Sequence, residues 1–250
     1  MERFINKVSV ITGSGSGIGA AIAKEFVKSG LIVVGLDLTE NKLKEISDEL
    51  LEEKFAGKFL WRICDVRKKD DIVSTFKSII EDVGQIWILV NCAGVLIRST
   101  LLEVDDEGVS NTLDTNVKGL LLCAKEVLKF MIKDTIEGHI ININSINGHY
   151  IRNTPGISTR MVYAASKHAV TVLTEGLRQE NMKRKGKVKF SSISPGNVVT
   201  RLSKSEGKLH PESTEALLPK NIADAVIAVL NTPPTVLISE LTIMCIYQEI

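Results

Sequence analysis

Tyr163-Ala164-Ala165-Ser166-Lys167 places a phenol and an ammonium four residues apart, and on a helix positions i and i+4 share a face. A free tyrosine with a pKa near 10 is a poor base at neutral pH. A cation about 4 Å away at an effective dielectric of about 20 favours the phenolate by roughly 4 kcal/mol, about three pKa units before the lysine's own desolvation is counted. A tyrosine acid/base catalyst needs a shift of that size. Alone, the spacing also describes a surface Tyr–Lys pair, so companions are required. One is Thr12-Gly13-Ser14-Gly15-Ser16-Gly17-Ile18-Gly19. Glycines there allow a tight turn and bring backbone N–H groups close to a pyrophosphate, while the following helix N-terminus adds partial positive charge. Asp37 falls 20 residues beyond Gly17. A carboxylate at that place accepts hydrogen bonds from a ribose 2′-hydroxyl and repels a 2′-phosphate. Neither Ser16 nor Leu38 is cationic, so NAD is expected over NADP. The plainer readings are a turn whose glycines serve packing and an Asp37 that caps a helix or is solvated.

Elements to hold these residues alternate along the chain. Residues 7–12 form a short apolar run ending in the glycine turn, and 18–28 read as helix. Residues 31–36 are continuously apolar, as for a parallel strand buried on both faces. Further strands are expected at 59–63, 86–90, 140–143, 188–193 and, last, 236–238, with helices over 40–53, 70–82, 106–133, 163–184 and 221–230. Repeated βα units predict an α/β fold: a doubly wound parallel sheet of about seven strands with helices on both faces and right-handed crossovers. No Pro-, Gly- or Ser-rich linker interrupts the series, so residues 1–250 read as one dinucleotide-binding Rossmann domain. Stretches near 95–105, 148–162 and 197–219 escape the pattern and are the expected substrate loops.

In this order the motifs resemble the short-chain dehydrogenase/reductase family over nearly the whole chain. They are the turn from Thr12 to Gly19, Asp65-Val66, Asn91-Cys92-Ala93-Gly94, Asn116, Ser145, Tyr163 with Lys167, and Pro195-Gly196 with Val198 and Thr200. The resemblance implies that Tyr163 exchanges a proton with the substrate oxygen. It implies that Lys167 lowers the Tyr163 pKa and holds the nicotinamide ribose hydroxyls. Ser145 would hydrogen-bond the substrate oxygen and the developing alkoxide, and Asn116 would kink its helix and support a water linking Lys167 to solvent. Cofactor contacts are implied for Gly13, Ser16, Gly17, Ile18 and Gly19 at the pyrophosphate turn and for Asp37 at the ribose. Asp65 and Val66 are implied at the adenine, the backbone of Asn91, Ala93 and Gly94 at the adenosine ribose, and Pro195, Val198 and Thr200 at the nicotinamide end.

The chain departs from the family pattern at Cys92, at Asn144, and in the 18 residues separating Ser145 from Tyr163. The longer loop, with His149, Arg152 and Pro155-Gly156, is similar to a subgroup of insect farnesol dehydrogenase-like, terpenoid-alcohol and ketosteroid enzymes. Members of that subgroup often use NADP, from which Asp37 departs. Val95, Leu96, Ile97, Tyr150, Ile151, Ile157, Met161, Val199, Leu202 and Leu209 occupy the segments expected over the nicotinamide. They predict an apolar pocket for a hydrophobic secondary or allylic alcohol or ketone, although apolar loop residues also serve core and interface. Two other readings stand beside it: an NADP(H)-dependent carbonyl or ketosteroid reductase, and a catalytically silent dinucleotide-binding module. Asn116, Ser145, Tyr163 and Lys167 are all present, which argues against the silent module.

Composition sets the outer limits. The 250 residues are 44% apolar and 24% charged with a formal charge of +1, which argues against a general nucleic-acid binder. Eighteen glycines and six prolines are too few for a disordered chain. No apolar run approaches the roughly 20 residues of a membrane span. Met1-Glu2-Arg3-Phe4 leads directly into the first strand-like run, so no signal peptide is expected. Cys64, Cys92, Cys123 and Cys245 lack metal or disulfide spacing and read as buried thiols, and the scattered histidines offer no metal site. A reduced, cytoplasmic protein is expected. Lys183-Arg184-Lys185-x-Lys187 reads as a solvated helix terminus. The long helices at 106–133 and 163–184 resemble those that pair subunits in the family, so a homodimer or homotetramer is expected.

Overall fold

The computed structural model describes residues 1–100, 102–151, 160–200 and 216–248. Its strands are β1 (Val8–Thr12), β2 (Ile32–Asp37), β3 (Lys58–Ile63), β4 (Ile86–Asn91), β5 (His139–Ile143), β6 (Lys189–Pro195) and β7 (Glu240–Ile243). They form one seven-stranded sheet in the order β3-β2-β1-β4-β5-β6-β7, and every pairing is parallel. The chain moves outward from β1 to β3, then returns past β1 and moves outward again from β4 to β7. That reversal leaves a crevice at the carboxyl ends of β1 and β4, where ligands bind in sheets of this kind.

The helices are α1 (Gly17–Lys28), α2 (Glu40–Glu52), α3 (Lys69–Asp82), α4 (Asp106–Leu113), α5 (Leu120–Lys133), α6 (Met161–Lys183) and α7 (Pro219–Leu230). On one face, Ile22 and Phe26 of α1 and Ile222 and Val226 of α7 pack with Ile11, Val33, Val90 and Ile141. On the other, Ile72 and Phe76 of α3 and Cys123 and Val127 of α5 pack with Val10, Val34, Leu89 and Ile140. Neighbouring strand residues therefore enter opposite cores, which is why these strands read as unbroken apolar runs. Truncating a ring such as Phe26, which is fully buried, costs about 3–5 kcal/mol.

Two expectations need correction. The helix expected over 106–133 is divided, because Asp114–Gly119 opens into a π-helical turn between α4 and α5. Such a turn marks a place where a side chain is diverted to another task, here Asn116. The last strand lies at Glu240–Ile243, not at 236–238. Lys189 Nζ on β6 donates to the carbonyls of Pro233 and Val236 and holds that segment off the sheet, while the register pairs Ser192 with Glu240. All four cysteines are free; Cys64 and Cys123 are buried, whereas Cys92 and Cys245 are only half-buried. Among the described residues, no helix is long and apolar enough to cross a membrane.

Candidate active site

At the end of β1 the Thr12 hydroxyl accepts the backbone N–H groups of Cys92 (3.0 Å) and Ala93 (3.1 Å), joining the two strand ends below the crevice. Gly13 follows at φ +67°, so close to the chain after β4 that a Cβ would lie 2.7 Å from the Ala93 Cα. At Gly19 a Cβ would lie 2.2 Å from the Gly13 carbonyl oxygen: α1 rests directly on its own turn. The Ser16 side chain makes no capping bond to the start of α1. The first N–H groups of that helix are left for an anion. Asp37 closes β2, its Oδ2 accepting the Gly15 N–H (2.9 Å) and its Oδ1 the Thr39 N–H (3.0 Å). It lines the crevice as a braced carboxylate, and each oxygen keeps a further lone pair.

Beyond β3 the Asp65 carboxylate is already engaged. Arg67 donates to Oδ1 through Nε (2.8 Å) and its backbone (3.0 Å), and to Oδ2 through a terminal nitrogen (2.7 Å). The Arg67 guanidinium holds the Asp65 carboxyl below the usual carboxylate range. Its other terminal nitrogen reaches Asn111 Oδ1 on α4 at 2.9 Å. Arg67, absent from the sequence reading, thus lines the crevice beside Asp65 and Val66. The visible signal was a cation two residues from that acid in a strand-to-helix loop. Asn91 sits beneath the crevice, its Nδ2 on Asn142 Oδ1 (2.9 Å); Ala93 and Gly94 line the crevice itself.

The π turn turns Asn116 toward the crevice wall. Its Oδ1 accepts the Val95 N–H (2.8 Å), while Nδ2 donates to the Val95 carbonyl (2.9 Å) and Ser166 Oγ (3.0 Å). Ser166 Oγ donates in turn to the Tyr163 carbonyl (2.7 Å) in the first turn of α6. Lys167, one turn later, donates through Nζ to the Ile143 carbonyl at the end of β5 (2.8 Å) and lies 5.8 Å from the Tyr163 ring centroid. Loss of hydration pulls its ammonium down to about 8. Ser145 follows β5; its Oγ accepts the Asn147 N–H (3.1 Å) and lines the same recess as Tyr163, whose phenol it pulls down.

Burial pushes the Tyr163 phenol up, and the groups that pull it back are the Ser145 hydroxyl and the positive charge of Arg160. In a dry site the lost hydration of a phenolate dominates, and the Lys167 ammonium is directed to a backbone carbonyl. Arg160 and Asn144 are further residues the sequence reading missed. Asn144 Nδ2 donates to Thr171 Oγ1 (2.9 Å), and its Oδ1 is buried without a partner among the described residues.

The crevice has a volume of about 580 Å³ and runs from Asp37 and Val66 to Tyr163 and Lys167. A recess of about 90 Å³ adjoins it at Ser145, Pro195, Val198 and Thr200. Of the apolar residues expected over the nicotinamide, Val95 and Leu96 line the crevice. Ile97 packs on Gly108 of α4, and Val199 is buried with its N–H on the Leu217 carbonyl. Tyr150, Ile151 and Met161 are exposed. Arg152, Pro155, Gly156, Ile157, Leu202 and Leu209 lie outside the described residues, as do parts of the three expected substrate loops.

The crevice has the size of a cofactor site. Glycines without room for a Cβ and an uncapped helix N-terminus fit an elongated dinucleotide. The family model described as short chain dehydrogenase matches residues 7–210, and the chain belongs to that family. It is 40% identical to the farnesol dehydrogenase of Aedes aegypti, with 97% of each chain covered. Identity to the human dehydrogenase/reductase SDR family member 11 is 36%, covering 96% of this chain and 95% of the relative. A solved alcohol dehydrogenase from the archaeon Thermococcus sibiricus, complexed with 5-hydroxy-NADP, matches with a TM-score of 0.85 at 26% identity, covering 97% of this chain and 98% of that one. The protein is an oxidoreductase of this family with a dinucleotide-binding fold.

Proposed function

We propose that the protein is an NAD-dependent alcohol dehydrogenase/carbonyl reductase for a hydrophobic secondary or allylic alcohol of terpenoid type and its carbonyl partner. The observation that carries this reading is the placing of Ser145 and Tyr163 side by side on the recess that adjoins the crevice, whose other end holds the uncapped start of α1. A bound nicotinamide would supply or accept the hydride. The raised pKa of Tyr163 keeps its phenol protonated at neutral pH, ready to donate to the oxygen of a carbonyl substrate; alcohol oxidation needs the phenolate and gains from higher pH. Ser145 Oγ accepts from Asn147, which leaves its own proton for the substrate oxygen. Lys167 spends one of three donors on Ile143; the others would hold ribose hydroxyls. Asn116 acts through Ser166 and Val95 and positions both walls.

Asp37 supports NAD, because a 2′-phosphate beside it would be repelled. The alternative NADP(H)-dependent carbonyl or ketosteroid reductase is favoured by the 5-hydroxy-NADP in the Thermococcus relative and by Lys42, which lines the Asp37 end of the crevice. The farnesol dehydrogenase relative and the apolar Val95 and Leu96 support a terpenoid substrate. The reading takes residues 1–250 as one cytoplasmic domain that assembles as a homodimer or homotetramer, supported by the exposed Leu113 on α4 and Val172 on α6.

The test is NAD against NADP efficiency on a panel of terpenoid, steroid and small polar alcohols, before and after Asp37→Ala. Unchanged NAD preference in that variant removes Asp37 from the argument, and faster turnover of small hydroxy acids removes the terpenoid. Tyr163→Phe should keep NADH binding and lose turnover by about 10²–10⁴; retained turnover would mean another group moves the proton.

A further inference from the structure

The crevice lies at the carboxyl ends of the strands. A second cavity, of about 370 Å³, lies at the opposite edge of the sheet, where β5 and β6 begin. Strands of five and seven residues separate the two, a distance of about 20 Å. Arg3, Lys187 and Lys189 border this cavity with, among the described residues, a single acid, Glu137, which pairs with Lys187 at 2.9 Å. Among the described residues no carboxylate forms an ion pair with Arg3 or Lys189. Arg3 donates to the Leu230 carbonyl (3.2 Å) and Lys189 to the Pro233 carbonyl (2.7 Å). Carbonyls at the end of α7 satisfy donors and offset about half a charge. Three cations against one acid still leave a formal excess of two.

Two further observations show that the excess is strained. Among the described residues Arg3 Nε is buried without a hydrogen-bond partner, a loss of about 1–3 kcal/mol for an unpaired donor. Burial and then the Arg3 charge push the Lys189 ammonium below its ordinary range. Burial and the same cations hold the neighbouring His139 at about 3 and therefore neutral. The other wall is apolar, formed by Val188, Pro234, Val236 and Leu237. Val236 and Leu237 are the residues whose apolarity predicts a strand; held off the sheet, they keep exposed surface beside the cations.

We propose that this cavity binds a phosphate monoester with a short apolar body. Two charges on one headgroup match the excess of two, whereas a monocarboxylate would neutralise only half of it. The two Lys187 donors not spent on Glu137 supply N–H groups for phosphate oxygens, Arg3 and Lys189 add positive charge at the same wall, and the apolar wall takes the ester group.

Calorimetric titration of the full chain with phenyl phosphate, with and without saturating NADH, tests the assignment; inorganic phosphate and benzyl alcohol serve as comparisons. Phenyl phosphate should bind one to one with NADH present, more tightly than inorganic phosphate, while benzyl alcohol gives no saturable heat. Lys187→Gln should weaken binding about tenfold, and Glu137→Gln, which removes the competing acid, should tighten it about threefold. Both residues are exposed, so both variants should fold, and their opposite shifts identify the cavity whether or not cofactor is bound. The proposal is overturned by no saturable heat at concentrations up to about 10 mM, well above a millimolar Kd. Equal affinity in wild type and both variants, or binding abolished by NADH, overturns it as well.

Discussion

Replacing Lys167 by methionine should make the folded protein more stable at pH 7 while removing its activity. Loss of hydration lowers the Lys167 ammonium from 10.5 to about 8, which is worth roughly 3 kcal/mol between protonation states. Between those two values the unfolded chain keeps a proton that the folded chain has released, so stability rises with pH on this residue's account. Below pH 8 both states are protonated and the full penalty of about 3 kcal/mol applies; by pH 9.5 about 2 kcal/mol of it is gone. Lys167→Met keeps the side-chain length but leaves the Ile143 carbonyl without its 2.8 Å donor, a loss of about 1–2 kcal/mol. The net expectation is a variant about 1–2 kcal/mol more stable at pH 7 whose advantage falls by about 2 kcal/mol at pH 9.5. Burial raises the Cys64 and Cys92 thiols to about 11 and about 12. Those groups lower stability as pH rises; Cys64 does so equally in both proteins, and a Cys92→Ala background removes the thiol on which the Lys167 charge acts, so the difference measured there isolates Lys167. Urea unfolding followed by Trp61 and Trp87 fluorescence at several pH values supplies the numbers. An advantage independent of pH, or a variant less stable than wild type at pH 7, refutes the desolvation argument.

Asn116→Ala removes three hydrogen bonds to buried or half-buried groups and should cost about 2–4 kcal/mol. Calorimetry would register this as a Tm lower by about 5–12 °C. Gly19→Ala puts a Cβ 2.2 Å from the Gly13 carbonyl oxygen; the turn must open, and NADH affinity measured by fluorescence should fall at least about tenfold. Ser145→Ala removes the hydroxyl that shares the recess with Tyr163 and should lower kcat by about 10²–10³ with little change in cofactor Kd.

Much of the fold was legible because both sheet faces are covered. Val10 and Ile11, or Ile140 and Ile141, enter opposite cores, so no polar face interrupts the apolar runs. The reading failed where contacts from afar outweighed local character. Val236 and Leu237 are more apolar than Glu240, yet Lys189 takes the Val236 carbonyl and β6 pairs with Glu240 instead. In the site, the glycine turn and the Tyr163–Lys167 spacing were legible as local geometry. The place of Lys167 Nζ was not, because its acceptor, Ile143, lies 24 residues away. Arg67 went unread because its value depends on Asn111, 44 residues on.

Sequence alone therefore determined the alternation of strands and helices, the turn at Gly13 to Gly19, and the Tyr163–Lys167 spacing, while Asn116 and Ser145 were named through the family resemblance. Sterics and periodicity act over a few residues and are written in the chain. Tertiary structure decided which charges are desolvated and which meet. It set the phenol of Tyr163 above its ordinary value and the ammonium of Lys167 below. It also brought Arg3, Glu137, Lys187 and Lys189 around one cavity. Hydration and Coulomb forces depend on neighbours in space, and those neighbours exist only once the sheet has formed.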